Sequence, residues 1–375
     1  MDNKIRIEEV KDKKGFNKFL KFPYKLFKDD KMWVPSLLMD EKVTFNKKKN
    51  PAFEFCESKI FLAYKGEEIV GRIVGILNNR ANEIWKQKRM RFGWFDYIND
   101  VNVAQALLNA VENWAKEKGM NEIVGPMGFT DMDKEGMMVE GFETNCPMAC
   151  YYNPSYYPVI IEQLGYKKEV DWIQYEIQAN QPIPDKVAKV NELIKNKYNL
   201  KIINNLSKKK ICNLYGNKIF NLVNRSFADL FGYVPLNDKQ IKFYIGQYFT
   251  FLDPKLVCFI VDEKDDVVAF GVSMPSFSDA LRKSKGKLFP FGWYYFLKAL
   301  KNYDYIDLYL NGVDPDWQNK GVHSLYYVEM NRRYIELNSK MAIANPQLET
   351  NQAAQIWEKY KSRIAIRRRA YIKEI

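Results

Sequence analysis

Hydrophobic and polar positions follow the same pattern twice along the chain, at a spacing of roughly 200 residues. In each half, two apolar runs flank a short polar stretch, which predicts a β-hairpin at 60–76 and another at 256–272. Each hairpin is followed by an apolar strand, an amphipathic helix and a second strand. The segments of this unit are 92–97, 103–118 and 121–125 in the first half, and 305–313, 323–338 and 340–345 in the second.

The two halves also end alike, each with a further helix and then a strand. These closing segments are 156–165 with 172–177, and 351–360 with 364–371. A polar stretch with two prolines, 178–185, joins the halves. We therefore predict two mixed α/β domains in tandem, at residues 1–180 and 181–375.

Length and composition agree with this plan and exclude several classes of protein. The 375 residues exceed what one core usually spans. We expect no membrane span and no signal peptide, since neither an apolar run of about 18 residues nor an apolar N-terminal stretch occurs. Five scattered cysteines predict reduced thiols in a cytoplasmic protein. The single histidine, His323, argues against a zinc or non-haem iron site, so no metal is predicted.

The net charge of +12 suits nucleic acid, an anionic membrane or a polyphosphate ligand. Lysines are spread along the whole chain, however, which is the pattern of a generally lysine-rich protein. The chain has no aromatic-interleaved RNA-binding segment and no zinc-finger spacing, so nucleic acid is not the favoured partner.

The most informative stretch runs from the predicted strand at Leu308 into the predicted helix near His323. A helix start offers backbone N–H groups that bind anions. Residues 318–323 have the outline Gln/Arg-x-x-Gly-x-Gly/Ala. This outline resembles the pyrophosphate loop of the GNAT superfamily of acyl-CoA N-acyltransferases. An ordinary turn with a solvated lysine is the alternative interpretation.

The order of hairpin, strand, phosphate loop, helix, strand, helix and strand is also that of the GNAT fold, so the whole chain resembles a tandem GNAT protein. Further stretches are similar to a bacterial family of two-domain GNAT proteins. They are Phe22-Pro-Tyr with Trp33-Val-Pro35, Gly125-Pro-Met127, 136–142, 152–157, 288–292 and 348–351. The resemblance implies a mixed α/β sheet and acyl transfer from acetyl-CoA or another acyl-CoA to an amine, on a small molecule or a peptide. It supplies neither the acceptor, nor the acyl length, nor the oligomeric state.

The resemblance also implies where CoA binds. Its pantetheine arm lies beside the fourth strand of the second half, and its pyrophosphate lies on the loop, where Gly321 allows close approach. The expected CoA-binding residues are Val313, Gln318, Asn319, Lys320, Gly321, Val322, His323, Ser324 and Asn351. His323 departs from the pattern, because the family has a small residue there. A role as phosphate neighbour or helix-start residue is expected for it, with general base as the sharper alternative.

The first half lacks such a loop. Residues 98–102 contain no glycine but include Asp100, which repels a pyrophosphate. Asp100 or Asn102 is expected to cap the helix that follows. We therefore predict one CoA per chain, bound in the second half, and a degenerate first half with a structural role or a role in the acceptor site.

The proton-transfer residue is harder to assign. Many GNAT enzymes use a tyrosine about seven residues after an asparagine that opens the last helix. Asn351 matches that asparagine, but Glu358 occupies the tyrosine position and Tyr360 lies two residues beyond. Glu349 and Tyr360 are the candidates, against a helix-start carboxylate and core packing as their structural alternatives.

Two other functions stay open, the first because of the departures at His323 and Glu358, and the second because some tandem GNAT-fold proteins use tRNA and the basic charge allows it, although the retained loop argues against it. One is a non-catalytic binding or scaffold protein with decayed GNAT domains, and the other is an aminoacyl-tRNA-dependent transferase. The glycine-rich segment 136–147 is interpreted either as a pocket wall or as a packed irregular segment.

Overall fold

A computed structural model of the chain describes residues 4–204, 206–249, 251–351, 357 and 361–375. The strands are β1 (Ile5–Glu9), β2 (Cys56–Lys65), β3 (Glu68–Asn78), β4 (Arg89–Tyr97), β5 (Glu122–Gly125), β6 (Met137–Glu140), β7 (Lys167–Gln178), β8 (Lys201–Ile203), β9 (Val257–Val261), β10 (Val267–Pro275), β11 (Tyr305–Val313), β12 (Met341–Ala344), β13 (Gln347–Leu348) and β14 (Ser362–Glu374).

The α-helices are α1 (Lys13–Leu26), α2 (Leu38–Thr44), α3 (Asn79–Ile84), α4 (Val101–Glu117), α5 (Tyr156–Gln163), α6 (Asp185–Lys197), α7 (Lys208–Lys210), α8 (Gly216–Ser226), α9 (Asp238–Phe249), α10 (Ser278–Ser284), α11 (Gly292–Ala299) and α12 (His323–Glu336). Of the helices in the described residues, none has both the length and the apolar character needed to cross a bilayer.

The predicted mixed α/β organisation is confirmed. The two hairpins are β2–β3 and β9–β10, and the two strand–helix–strand units are β4–α4–β5 and β11–α12–β12. In each unit the two strands pair in parallel, as a helical crossover requires. The helix predicted at 351–360 falls mostly outside the described residues.

The two halves exchange their last strands. The sheet order is β1-β2-β3-β4-β5-β14-β7-β12-β11-β10-β9-β8. Thus β14, from the end of the chain, pairs with β5 and β6 of the first half, and β7 pairs with β12 and β13 of the second half. The two exchanged strands also pair with each other, from Ser362–Ile177 to Ile372–Lys167. The domain boundary at residue 180 stays a prediction, and one continuous sheet crosses it.

The start of α4 shows why the first half differs from the second. Asp100 is the cap: its side chain accepts a hydrogen bond of 2.9 Å from the N–H of Asn102. Lys65 lies 2.5 Å from the other oxygen of this carboxylate. The hydrogen bond from Lys65 lowers the pKa of Asp100, so its charge is held at this helix start.

Amphipathic helices attach both halves to the sheet. The apolar stripe of α4 is buried, and each of its larger side chains contributes about 1.5–3 kcal/mol by leaving water. Its members are Val103, Ala104, Leu107, Leu108, Val111, Trp114 and Ala115. The buried apolar residues of α12 pack on the second half in the same way: Leu325, Tyr326, Met330 and Tyr334.

A bulge and a divergence of strands open the sheet in the second half. Val272 pairs with Leu310 and Ser273 pairs with Leu308, which leaves Tyr309 as an extra residue in β11. Strand β12 accompanies β11 only as far as the Leu308–Ala344 pair. The chain after β12 turns away to pair with β7, so a gap opens beside residues 309–313.

Candidate active site between the two halves

A cavity of about 190 Å³ lies at this gap, between the two halves of the chain. One wall is the acidic loop 131–135, which follows β5. The opposite wall combines β11 with the segment 345–351 that follows β12. Apolar side chains line the rest: Trp172, Phe227, Leu230, Phe231 and Leu348. The cavity can therefore hold a charged group and an apolar group of one ligand side by side.

Contacts across the two halves fix the acidic loop. The hydroxyl groups of Thr130 and Tyr244 share a hydrogen bond of 2.6 Å. The buried guanidinium of Arg91, on β4, donates to the carbonyl oxygen of Gly232 at 3.0 Å. Because these partners come from different halves of the chain, the contacts hold the segment next to the loop in a defined position.

Three carboxylates project from alternate positions of this loop. Asp131 Oδ2 accepts from the N–H of Val234 at 3.2 Å, and Asp133 Oδ2 accepts from the N–H of Thr130 at 3.1 Å. The other oxygen of Asp131, Oδ1, and the Oε2 of Glu135 are shielded from solvent and have no hydrogen-bond partner among the described residues. Shielded polar atoms are normally satisfied, so these two are candidates for binding a ligand or a proton.

Burial raises the pKa of all three groups. It raises the pKa of Asp133 to about 6 and also raises the pKa of Asp131. The pKa of Glu135 lies well above the ordinary glutamate value because of burial and the neighbouring charge of Asp131. Arg91 opposes these shifts, but as one cation it does not balance three carboxylates. The cluster thus has fewer cations than carboxyl groups, and a bound ammonium would supply the missing positive charge.

The cluster is not arranged as a metal centre. No group of three or more histidine, cysteine, aspartate or glutamate side chains within the described ranges is placed to hold a metal ion.

The edge of β11 forms the other side of the gap. Asn345 ends the pairing: its N–H donates to the carbonyl oxygen of Leu308 at 3.0 Å, and its Nδ2 donates to that of Tyr309 at 2.6 Å. Its Oδ1 atom is buried without a partner in the described part of the chain. Beyond this point, β11 pairs with β10 on its far edge, so the near edge of 310–313 faces the gap.

A second, smaller cavity of about 60 Å³ lies on the α12 side of β11. Its walls include Tyr326 and Met330 of α12. Leu308, Leu310 and Asn311 border both cavities, so the two spaces meet at the divergent part of β11.

The predicted phosphate loop has the expected local form. Helix α12 begins at His323, as predicted, and its first turn carries no acidic residue that would repel an anion. Gln318, Asn319 and Lys320 are exposed. The Lys320 ammonium lies 4.7 Å from the ring centre of Trp317.

Helix α6 packs directly on this loop. Gly321 has φ of +77°, and a Cβ on it would lie 2.7 Å from Ile194 Cδ1. The Ser324 hydroxyl lies 2.6 Å from the Gly321 carbonyl oxygen and 3.1 Å from Asn191 Oδ1. The backbone conformation thus favours glycine whether or not a phosphate binds, while the flexible end of Ile194 can move aside for a Cβ. Val322 is fully buried.

The other predicted site residues fall into three groups. Asn351 lines the cavity, and Val313 ends the strand edge that faces it. Glu349 is held elsewhere: its carboxylate accepts from Arg367 Nη1 at 2.8 Å and from Lys168. Tyr360, like Glu358, lies outside the described residues. The assignment of these residues to CoA binding and proton transfer stays a prediction.

Sequence reasoning missed the carboxylates of the acidic loop. A signal was present: acidic residues at 131, 133 and 135 follow the family-like stretch 125–127 directly. Charged residues at alternate positions of a loop normally indicate a solvated surface, so this signal was not interpreted as a site. Much of segment 136–147 is packed against the rest of the protein, since β6 pairs with β14 and Cys146 is fully buried.

Comparison with known proteins gives the fold. No family model matches the chain. A tandem GNAT protein from the clavulanic acid biosynthesis pathway superposes with a TM-score of 0.55 and 8% sequence identity, over 99% of this chain and 98% of that one. The chain has a tandem GNAT fold. Within the second half, β11 and β12 are the fourth and fifth strands in chain order.

Two curated proteins are similar in sequence. Protein YghO of Escherichia coli (strain K12) is 28% identical over 292 residues, which cover 77% of this chain and 73% of that protein. A protein named bacterial ceramide synthase, from Caulobacter vibrioides, is 26% identical over 311 residues, which cover 79% of this chain and 77% of that protein.

Proposed function

We propose that the chain is an acyl-CoA-dependent N-acyltransferase whose acceptor amine binds in the cavity between the two halves. The observation that carries this proposal is the gap beside β11, which leads to carboxylates with unpaired oxygens. One side of the gap offers an open strand edge, and the other offers carboxyl groups without a matching cation. An N-acyltransferase needs both, because it pairs a thioester arm with an ammonium group.

The second half provides the features that suit CoA. The edge of 310–313 can pair with the amide groups of a pantetheine arm, and the loop before α12 offers a helix start and Lys320 to a pyrophosphate. The first half provides no equivalent site, since Asp100 occupies its helix start and is bound to Lys65. The proposal therefore assigns one CoA to each chain.

The cavity favours an amine that carries an apolar portion. The unpaired oxygens of Asp131 and Glu135 suit an ammonium, while Trp172 and Phe231 offer apolar surface next to it. The name of the Caulobacter relative adds a specific candidate, because a ceramide is a lipid whose nitrogen carries an acyl group. We therefore propose a long-chain primary amine as the acceptor class.

The carboxylates suit the chemistry that this reaction requires. The acceptor arrives as an ammonium and must lose a proton before its nitrogen attacks the thioester carbon. In the balanced reaction a C–N bond forms, the C–S bond breaks, and the thiol leaves with a proton. Glu135 is the proposed proton acceptor, since it lines the cavity and its Oε2 has no hydrogen-bond partner among the described residues. Glu349 is less suited, because Lys168 and Arg367 already occupy its carboxylate.

Release of free thiol from an acyl-CoA tests this proposal. Acetyl-CoA and longer acyl-CoAs are combined with a short polar amine, a long-chain amine or a sphingoid base, and the product is identified by its mass. The proposal expects thiol release that requires both substrates, and an amide product with the long-chain amines. An intact acyl-CoA in every mixture, together with thermal stabilisation by aminoacyl-tRNA and not by CoA, would favour the tRNA-dependent alternative. No response to any of these ligands would favour the scaffold alternative.

A further inference from the structure

The segment from α10 to α11 carries an exposed group of large apolar side chains. Phe289 is 76% exposed, Phe291 74%, Tyr294 57%, Leu297 52% and Trp293 46%. These five residues are adjacent along the chain and are here termed the aromatic patch. Scattered exposed apolar residues are common on proteins, but a group of this size in one short segment marks an interaction surface.

The patch is exposed because the opposite face of α11 is already buried. Phe296 stacks on Phe277, the residue before α10, with ring centres 5.7 Å apart, and it belongs to a buried apolar cluster. The indole N–H of Trp293 donates to the carbonyl oxygen of Pro290 at 2.9 Å, which holds the turn before the helix. Helix α11 thus has one apolar face in the core and a second one directed outward.

Unpaired positive charge surrounds the patch. The five exposed lysines of this segment are Lys283, Lys285, Lys287, Lys298 and Lys301. None of them forms an ion pair with any residue that the structure describes. The two acidic residues that flank the segment are already engaged, Asp279 with Arg282 at 2.9 Å and Asp304 with Lys340 at 3.1 Å.

We propose that the aromatic patch docks the protein on the surface of an anionic lipid bilayer. Aromatic rings and leucine insert at the level of the lipid headgroups, and lysines around them pair with anionic headgroups. Each lysine close to such a surface strengthens binding severalfold. This combination of aromatic and lysine residues favours a membrane over the other possible binding partners.

A protein partner fits this surface less well. Lysine is depleted in protein–protein interfaces, whereas five lysines border this patch. A second copy of the chain in a two-fold dimer would place the lysines of one copy against those of the other. Neither arrangement neutralises the unpaired charge, and an anionic bilayer does.

Helix α11 and the cavity share one apolar cluster. Phe296, on the buried face of α11, is in the same cluster as Tyr248 and Tyr309, which line the cavity. The docking proposal itself rests on the patch and its charges, and it stands whether or not the chain transfers acyl groups.

Co-sedimentation of the full chain with lipid vesicles tests the proposal. The probes are vesicles of phosphatidylcholine alone and of phosphatidylcholine mixed with phosphatidylglycerol. We expect the chain to sediment with the anionic vesicles and to remain in solution with the neutral ones. Replacement of Phe289 and Phe291 by Ser should reduce vesicle binding at least tenfold, since both rings would otherwise insert.

Charge is tested by matched triple variants. Replacement of Lys287, Lys298 and Lys301 by Gln should reduce binding to anionic vesicles at least tenfold. Replacement of the exposed Lys47, Lys48 and Lys49 by Gln removes the same charge elsewhere and should leave binding within about twofold of the wild type.

Three results would overturn the proposal. The first is a wild-type chain that stays in solution with both kinds of vesicle. The second is equal loss of binding in the two lysine variants, which would show only a general charge effect. The third is self-association of the wild type, abolished by the Phe289 and Phe291 replacements, without vesicle binding. Circular dichroism of each variant confirms that it is folded.

Discussion

The Cδ1 atom of Ile194 lies 2.7 Å from the point where a Cβ on Gly321 would stand. This contact joins α6 to the loop that precedes α12, and it occurs at a residue with φ of +77°. The backbone conformation therefore favours glycine in the predicted phosphate loop before any ligand is considered, while the flexible end of Ile194 can move aside. A substitution at Gly321 consequently tests folding as much as binding.

Gly321→Ala should lower the free energy of unfolding by about 1 kcal/mol, since the left-handed backbone is strained by a Cβ while the flexible end of Ile194 can move aside. Gly119 provides a matched control, because its φ is +72° but nothing lies near its absent Cβ. Gly119→Ala should therefore cost about the same. Urea unfolding measures both, and a much larger loss at Gly321 would show that Ile194 cannot move aside.

CoA binding is better tested at Lys320, which is exposed and makes no ion pair with a described residue. Lys320→Glu reverses a charge beside the expected pyrophosphate and should weaken CoA binding at least tenfold, or about 1.4 kcal/mol. Lys209→Glu makes the same change at another exposed lysine and should have little effect. Calorimetry should also give one CoA per chain, whereas two would contradict the assignment to the second half alone.

The buried carboxylate of Asp133 should make stability depend on pH. Its pKa rises from 3.8 to about 6 on folding, because burial disfavours the charged form. The folded state therefore holds this proton to higher pH than the unfolded state, and stability falls as pH rises from about 4 to 6. Asp133→Asn removes this loss. Urea unfolding at about pH 4 and about pH 7 measures how the substitution changes the free energy of unfolding. That change should be more favourable at pH 7 than at pH 4 by about 2–3 kcal/mol. The same change at both pH values would contradict the pKa shift.

The strand exchange predicts that the end of the chain is essential to both halves. Removal of residues 362–375 deletes β14, which lies between β5 and β7 inside the sheet. Two strand edges would then be exposed, so we expect aggregation or loss of a folded monomer in size-exclusion chromatography. Removal of residues 1–9 deletes the edge strand β1 and should leave a folded monomer. A folded monomer in both cases would contradict the exchange.

Local features of the fold were predictable and long-range ones were not. The start of α12 at His323 and the cap at Asp100 follow from periodicity and capping chemistry, which operate within a few residues. The pairing of β14 with β5 depends on segments more than two hundred residues apart, and alternation within a strand does not name its partner.

The candidate site likewise has local features that the sequence predicts and long-range features that it does not. The loop at Gly321 was found from its outline, because its form depends on consecutive residues. The carboxylates of Asp131 and Glu135 were missed, because charge in a loop normally faces water, and only the packing of two halves encloses them. Glu349 illustrates the converse, since its partners Lys168 and Arg367 come from strands that the exchange brings together.

The most direct test of the proposed acyl transfer compares two isosteric substitutions, Glu135→Gln and Glu349→Gln. The rate of thiol release is measured with saturating acyl-CoA and a long-chain amine, together with CoA affinity. The account predicts that Glu135→Gln lowers turnover by roughly 10²-fold or more and leaves CoA affinity unchanged, while Glu349→Gln retains most of the wild-type rate. A normal rate in Glu135→Gln, with a large loss in Glu349→Gln, would contradict the assignment of proton transfer to the cavity between the halves.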